Sequence, residues 1–291
     1  MSIIPDLSYN AVFNALISNN KFLLNKIVQS ILDYWNIDIN VLNKELMFYR
    51  NTLPVSNYMD KQLICDYIIK VDDSHRLNIE INRELYPGLK ERNTTYVFQI
   101  FYSHFKVGSE YKDFEKFFTF QINFNKYKNP NGNRINKFLL LDVDDICNSL
   151  TENIQILNID IESCYKFVYN NSNKDGIHNL EIIAALINCG SLDKVSKVLE
   201  SELFTMEEKE KLLNSIKDIT TDKEIQEAIK FEDNIEYRFE ATREKAYDDG
   251  FKQGTKQTLN NNIINMLKEN ASVDFISKVT GKDIDYITKL S

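Results

Sequence analysis

No apolar run in this sequence approaches the roughly 18 residues that a membrane span needs. Its opening segment, MSIIPDLSYN, has neither a basic stretch nor a small-residue cleavage site. The expectation is a cytoplasmic protein without a membrane partner. Cysteine is sparse and scattered: Cys65, Cys147, Cys164 and Cys189 form no CxxC pair, which argues against a structural zinc site or a disulfide framework. They read as reduced, mostly buried thiols. Histidine is scarcer still. None of His75, His104 and His178 lies three or four residues from a cysteine or another histidine, so histidine-based metal or triad chemistry has little support. Basic charge is in deficit too, with 35 Lys and Arg against 43 Asp and Glu for a net −8, and a chain of that sign is on average a poor binder of phosphates.

The average conceals an asymmetry. Residues 1–140 carry 17 basic and 14 acidic side chains, a balance of +3, whereas 141–291 carry 18 and 29, a balance of −11. Within 82–140 the count is 10 against 5, including Lys106, Lys112, Lys116, Lys126, Lys128, Arg134 and Lys137. Such a segment is able to line a DNA groove, and equally it can be a set of ordinary solvated positions. At 291 residues, 43% hydrophobic and 12% aromatic, the chain is long enough for one good core and a smaller helical appendage.

From 10 to 34, Val12, Phe13, Leu16, Ile17, Phe22, Leu23, Ile27, Ile31 and Leu32 recur at helical spacing that breaks near Ser18, Asn19 and Asn20. QLICDYIIKV over 62–71 and RLNIEINR over 76–83 flank Asp72, Asp73, Ser74 and His75, a pattern that predicts a β-hairpin. A helix is predicted over 91–107, with Val97, Ile100, Phe101 and Phe105 as its buried stripe, Arg92, Tyr96, Gln99 and Ser103 on the other face, and Gly108 as its stop. Further strands are predicted over 116–124, 137–143 and 153–161. Beyond about residue 171 the pattern turns helical, over 177–189, 192–204, 206–219 and 222–229, with Thr205 and Thr221 as caps. The tail runs through Gly250 and Gly254 to SVDFISKVTGKDIDYITKL, which reads as two small helices joined at 280–282, either a miniature helix-turn-helix or a packing hairpin. The Gly250-x-x-x-Gly254 spacing either lets two helices approach in a homodimer or loosens a linker.

In the predicted hairpin, residues whose numbers sum to about 146 face each other, which puts Asp66 across from Glu80 at a Cβ separation of roughly 5 Å. Both lie in otherwise apolar strands, where a carboxylate is costly unless it meets a cation or hydrogen-bond donors. Paired oxygens from opposed strands make a hard-ligand site suited to Mg²⁺, with Mn²⁺ or Ca²⁺ as substitutes, and to activation of a water against a phosphodiester. Asn82 shares the face of Glu80 and can orient that water. Taken alone the pattern is weak, because a charged residue in a strand is often an edge or surface position.

The block YMDKQLICDYIIKVDDSHRLNIEINRELYPGLKERNTTYVFQIFYSHFKVGSEY resembles the central part of the Rpn-type recombination-promoting nucleases and transposases, a branch of the PD-(D/E)xK nuclease superfamily. That part has a basic residue, a strand ending in Asp, a hairpin and N-I-E-x-Q. A helix opened by Arg with Tyr four residues on follows, and then Gly-x-x-Tyr. Here the places are held by Lys61, Asp66, Glu80, Arg92, Tyr96, Gly108 and Tyr111. NAVFNALISNNKFLL is similar to the family's opening helix, which begins D-x-x-F-K, and NIQILNIDIESCYKF to its last core strand. DDGFKQG and ASVDFISKVTGKDIDYITKL are similar to its repeated-glycine segment and closing helical hairpin. The likeness runs over most of the chain, and the order of the motifs carries it.

The resemblance implies an α/β fold: a PD-(D/E)xK nuclease-like core with a mixed sheet flanked by helices over 1–170, a helical region over 171–235, and a helical tail over 236–291 for oligomerisation or DNA contact. It implies metal-dependent endonucleolytic cleavage of DNA, linked to recombination or mobile elements. Asp66 and Glu80 would bind Mg²⁺, Asn82 would position the attacking water, and Lys61, Arg92, Tyr96 and Gln99 would face DNA. Arg92 and Tyr96 have bracing the sheet as their alternative. Three places depart from the pattern: Asn10 stands where the family has an acidic residue, Asn14 where it has Lys, and Asn82 where it has Gln or Lys. Neutral Asn10 lowers the charge around the metal unless Asp6 replaces it in a helix that begins earlier, and Asn82 brings no positive charge to the reacting phosphate. The rival expectations are a catalytically degenerate relative that binds DNA or protein, and a protein-binding module built from the acidic helical half.

Overall fold

The computed structural model describes residues 4–49, 66–105, 110–171 and 176–290. Near the N-terminus, α1 (Asn10–Asn19) and α2 (Lys21–Tyr34) are separated at Asn20, whose side-chain amide donates to the Leu16 carbonyl and whose backbone N–H closes on Ile17. A short strand, β1 (Met47–Tyr49), precedes the hairpin formed by β2 (Tyr67–Lys70) and β3 (His75–Asn82). Asp72 closes that hairpin by accepting from the backbone amides of Ser74 at 2.8 Å and His75 at 2.7 Å. The pairing Tyr67 with Ile79 through Lys70 with Arg76 has the register the sequence predicts, residue numbers summing to 146. The first part of the expected strand, 62–65, lies outside the described residues.

From β3 the chain passes through α3 (Leu89–Tyr102) into β4 (Phe118–Asn125), which runs parallel to β3. Next come β5 (Ile135–Leu141) and β6 (Ser149–Asp160), antiparallel to each other, with β6 parallel to β4. The result is one mixed six-stranded sheet in the order β1-β2-β3-β4-β6-β5. Then follow α4 (Ile161–Asn170), α5 (Asn179–Ile187), α6 (Leu192–Leu199) and α7 (Met206–Thr221). The protein is thus mixed α/β, a sheet flanked by helices.

Side chains alternate across a strand, and here the two faces differ sharply in chemistry. Leu77, Ile79 and Ile81 of β3, Phe120, Ile122 and Phe124 of β4, and Leu157 and Ile159 of β6 form one face, buried with α1, α2 and α4–α7 in a single cluster. The opposite face carries Asn78, Glu80 and Asn82 beside Thr119, Gln121, Asn123 and Asn125. All seven are buried as well. The helix packed on that face is α3, whose Tyr96 and Ile100 join Ile68 of β2 in a small apolar patch.

Several elements differ from expectation for identifiable reasons. α3 ends at Tyr102, and Phe101 and Phe105 are only half-buried, because they pack against Phe114 and Phe117 of the next segment instead of the sheet. The α4 helix begins where a strand's last residue is predicted: Asp160 caps it, its carboxylate accepting from the Ser163 backbone N–H at 2.9 Å and hydroxyl at 2.7 Å. Thr205 caps α7 as expected, but Thr221 is that helix's last residue, and Asp222 caps the following helix by accepting from Glu224 and Ile225. Cys164 and Cys189 are buried and Cys147 is exposed, while Cys65 lies outside the described residues.

The chain divides into two compact units, 1–230 and 231–291, so α5–α7 belong with the sheet, where the sequence reading sets them apart. The helix α8 (Lys223–Lys268) runs unbroken through Gly250 and Gly254, which therefore do not loosen a linker. In the second unit, Ile263 of α8, Ile276 of α9 (Val273–Thr280) and Ile287 of α10 (Ile284–Thr288) form a small buried cluster. Gly281, at φ 67°, makes the turn between the last two helices. No helix among the described residues is long and apolar enough to cross a membrane.

Phe120 is fully buried between the sheet and the helices of the apolar face. Phe120→Ala is expected to lower unfolding stability by about 3–5 kcal/mol, whereas Val143→Ser, at a side chain 93% exposed, should stay within about 0.5 kcal/mol. Urea denaturation of both variants measures this, and a Phe120 variant as stable as wild type would contradict the described core.

Candidate functional site

Three acidic side chains are buried among the described residues: Glu80, Asp160 and Glu181. Two of them have structural employment. Asp160 caps α4, and Glu181 pairs with Arg134 at 2.6 Å while also capping its own helix through the His178 N–H. Glu80, 1% exposed, is different, because it faces a second carboxylate. Its Oε1 accepts from the Asp66 backbone N–H at 3.0 Å, and Asp66 Oδ2 accepts from the Ile81 N–H at 2.9 Å. The two acids are thus tied across the start of β2 and the second half of β3, as the hairpin register demands.

Around the pair lies a polar network that the sequence reading missed. Asn78 donates through Nδ2 to Glu80 Oε1 at 3.1 Å and to Gln121 Oε1 at 2.8 Å. Gln121 Nε2 donates to Asn123 Oδ1, and Asn123 Nδ2 to Asn158 Oδ1, both at 2.8 Å. Asn82 donates to Asn125 Oδ1 at 3.0 Å. The signal was present in the alternation of β4, FTFQINFN, but an amide on every second strand position is ordinarily read as a solvated face. Here α3 covers that face, and the amides bond to one another.

Arg92, in the first turns of α3, reaches back to this spot. Its guanidinium donates to Asn82 Oδ1 at 3.0 Å and Glu80 Oε2 at 3.3 Å, and lies near the rings of Tyr86 and Tyr96, 5.5 and 5.4 Å from their centroids. Burial pushes the Glu80 carboxyl up to about 8, and the negative charge of Asp66 adds to the effect; the Asp66 N–H, Arg92 and the Asn78 amide act the other way. These donors do not outweigh burial and the Asp66 charge, so Glu80 holds a proton near neutral pH. A divalent cation that keeps several of its waters would take the place of that proton and meet two hard carboxylate oxygen donors. Asp66 and Glu80 would be its protein ligands. Among the described residues no third His, Cys, Asp or Glu joins them.

The other predicted residues have mixed placements. Asn10 is the first residue of α1, and that helix does not begin earlier. Asp6 does not replace it: its carboxylate accepts from Lys126 and from the Ser8 N–H and hydroxyl. Asn14 accepts from the Tyr67 hydroxyl on the apolar face of the sheet. Tyr96 is 3% exposed and packs on Ile68, as its bracing alternative has it, and its ring lies beside the Arg92 guanidinium. Gln99 is half-buried, and Lys61 lies outside the described residues. Much of the basic segment has acidic or aromatic neighbours, Lys112 and Lys116 in exposed pairs. Lys112 pairs with Glu110, Lys116 with Asp113, Lys126 with Asp6 and Arg134 with Glu181, while Lys137 lies over the Tyr34 and Trp35 rings. Lys128 is exposed and Lys106 lies outside the described residues. No family model, curated protein or solved structure matches this chain.

The Glu80 value sets a pH dependence. Its folded-state value, about 8, lies above the unfolded one, so its contribution to stability is full below the unfolded value near pH 4.3 and is lost as pH rises through about 8. With EDTA present, the urea midpoint of wild type should fall across that window, and the fall should be shallower in Glu80→Gln. Parallel curves for the two proteins would contradict the assignment.

Proposed function

We propose that this chain is a metal-dependent DNA endonuclease of PD-(D/E)xK type, serving recombination or mobile elements. The observation that carries the reading is the meeting of Asp66 with buried Glu80 across the β2–β3 hairpin. The resemblance of the surrounding block to Rpn-type nucleases gives that pair its chemistry. A bound Mg²⁺ would supply a Lewis acid and a water of lowered pKa. The chain's own contribution is to hold the two carboxylates in register through backbone amides, to exclude bulk water beneath α3, and to present Asn82 next to the pair. Arg92 supplies a guanidinium of the right geometry for a DNA phosphate.

A second reading is favoured by one observation: Arg92 already bridges Glu80 and Asn82. A permanent bridge would leave a nuclease-fold protein that binds DNA or another protein without cutting. Neutral Asn10 points the same way. For the partner, we propose a homodimer through α8, where Tyr247 and Phe251 are exposed and no atom of the described residues stands within 4 Å of the place a side chain on Gly250 or Gly254 would take.

Incubating supercoiled plasmid with the protein and Mg²⁺, Mn²⁺, Ca²⁺ or EDTA separates the readings. Nicking is expected with Mg²⁺ or Mn²⁺ and not with EDTA, and Asp66→Ala or Glu80→Ala should each slow it by about 100-fold or more. A folded wild type that is inert with every metal would leave the binding-only reading.

A further inference from the structure

We propose that Arg92 gates the carboxylate pair: in the DNA-free protein its guanidinium holds Glu80, and a DNA phosphate that draws it away opens Glu80 to a divalent cation. DNA and metal then strengthen each other's binding through one side chain. The inference rests on the metal-dependent reading above and names the regulation of that same site.

Four observations support it. First, the bridge is loose on the side that matters, 3.3 Å to Glu80 Oε2 against 3.0 Å to Asn82 Oδ1. Second, the two partners differ in access, since the Arg92 side chain is 32% exposed and that of Glu80 only 2%. A phosphate can therefore meet the guanidinium before anything meets the carboxylate. Third, Arg92 Nε is buried without a hydrogen-bond partner among the described residues, whereas a phosphate offers the guanidinium paired acceptors. Fourth, the Arg92 backbone is fixed, its N–H bonded to Gly88 at 2.9 Å, and Tyr96 beside it is anchored on Ile68. The switch needs only rotation of one side chain along a ring-walled slot.

The coupling follows from charge. A guanidinium and a divalent cation at the same carboxylate repel each other across a few ångströms of poorly hydrated protein, so each lowers the other's occupancy. A phosphate removes the competitor, and linkage requires the metal to raise phosphate affinity by the same factor.

The test is calorimetric titration with Mn²⁺ of the full chain, with and without a phosphorothioate duplex that resists hydrolysis. For wild type the duplex should tighten Mn²⁺ binding by about tenfold. Arg92→Gln should bind Mn²⁺ more tightly than wild type without DNA and show no further gain with it. Arg92→Lys, which keeps the charge, should retain part of the duplex effect and serves if the Gln variant does not fold. Equal Mn²⁺ affinity in DNA-free wild type and Arg92→Gln, or an equal duplex effect in both, overturns the gate while leaving the metal reading intact. Absence of Mn²⁺ binding from every protein, with or without duplex, overturns the metal reading and the gate with it. Coupling in the titration without plasmid nicking upholds the gate and removes only the catalytic claim.

Discussion

Glu80 sits in a strand covered on both faces, so its charge must be answered from within the protein. Water cannot do it, and an unanswered carboxylate in such a place is among the most expensive groups a fold can contain. The donors to it are two amides and one guanidinium, and Asp66 beside it has its own donor in the Ile81 N–H. They do not outweigh burial and the neighbouring charge, which push the Glu80 carboxyl up to about 8. The surrounding architecture serves to maintain this balance: the hairpin places Asp66 alongside, α3 keeps bulk solvent out, and the amide row fills the remaining volume without adding charge.

The same residues show why nuclease and binding-only readings both arise from one arrangement. Asp66 and Glu80 invite a cation, and Arg92 is a cation already in reach. What distinguishes a catalytic site from a closed one is the ease with which Arg92 is displaced, a matter of competing affinities more than of which residues are present. Asp6 illustrates the contrast, since it is locked to Lys126 just beyond the end of β4 and takes no part in the competition.

Much of this was legible in the sequence. The break at Asn20, the hairpin register and the terminal helical pair are local properties, fixed by turn chemistry and short-range periodicity. The Asp66–Glu80 meeting followed directly from the register. The rest depended on tertiary packing. Nothing in FTFQINFN says that a helix from another part of the chain will cover its amides, so Gln121, Asn123 and Asn125 went unread. Tyr96 likewise lies buried beside Ile68 and Ile100, a contact that spacing along α3 alone does not reveal. Of the two readings of Gly250 and Gly254, the loosened linker does not hold, because neighbours with helical propensity carry α8 through both.

The amide row also has a direction. Asn78 donates across to Gln121 of β4, Gln121 along β4 to Asn123, and Asn123 across to the Asn158 oxygen of β6. Because every member faces its neighbour nitrogen to oxygen, none can turn over alone without setting two oxygens or two N–H groups against each other. A proton arriving on Glu80 Oε1 would meet only donors, the Asp66 N–H and the Asn78 amide. It must therefore settle beside Arg92 or reverse Asn78, and with it the whole row. Where Asn78 reverses, the ionisation state of one carboxylate is carried by the orientation of amides as far as β6, two strands away and about 10 Å from it across the sheet.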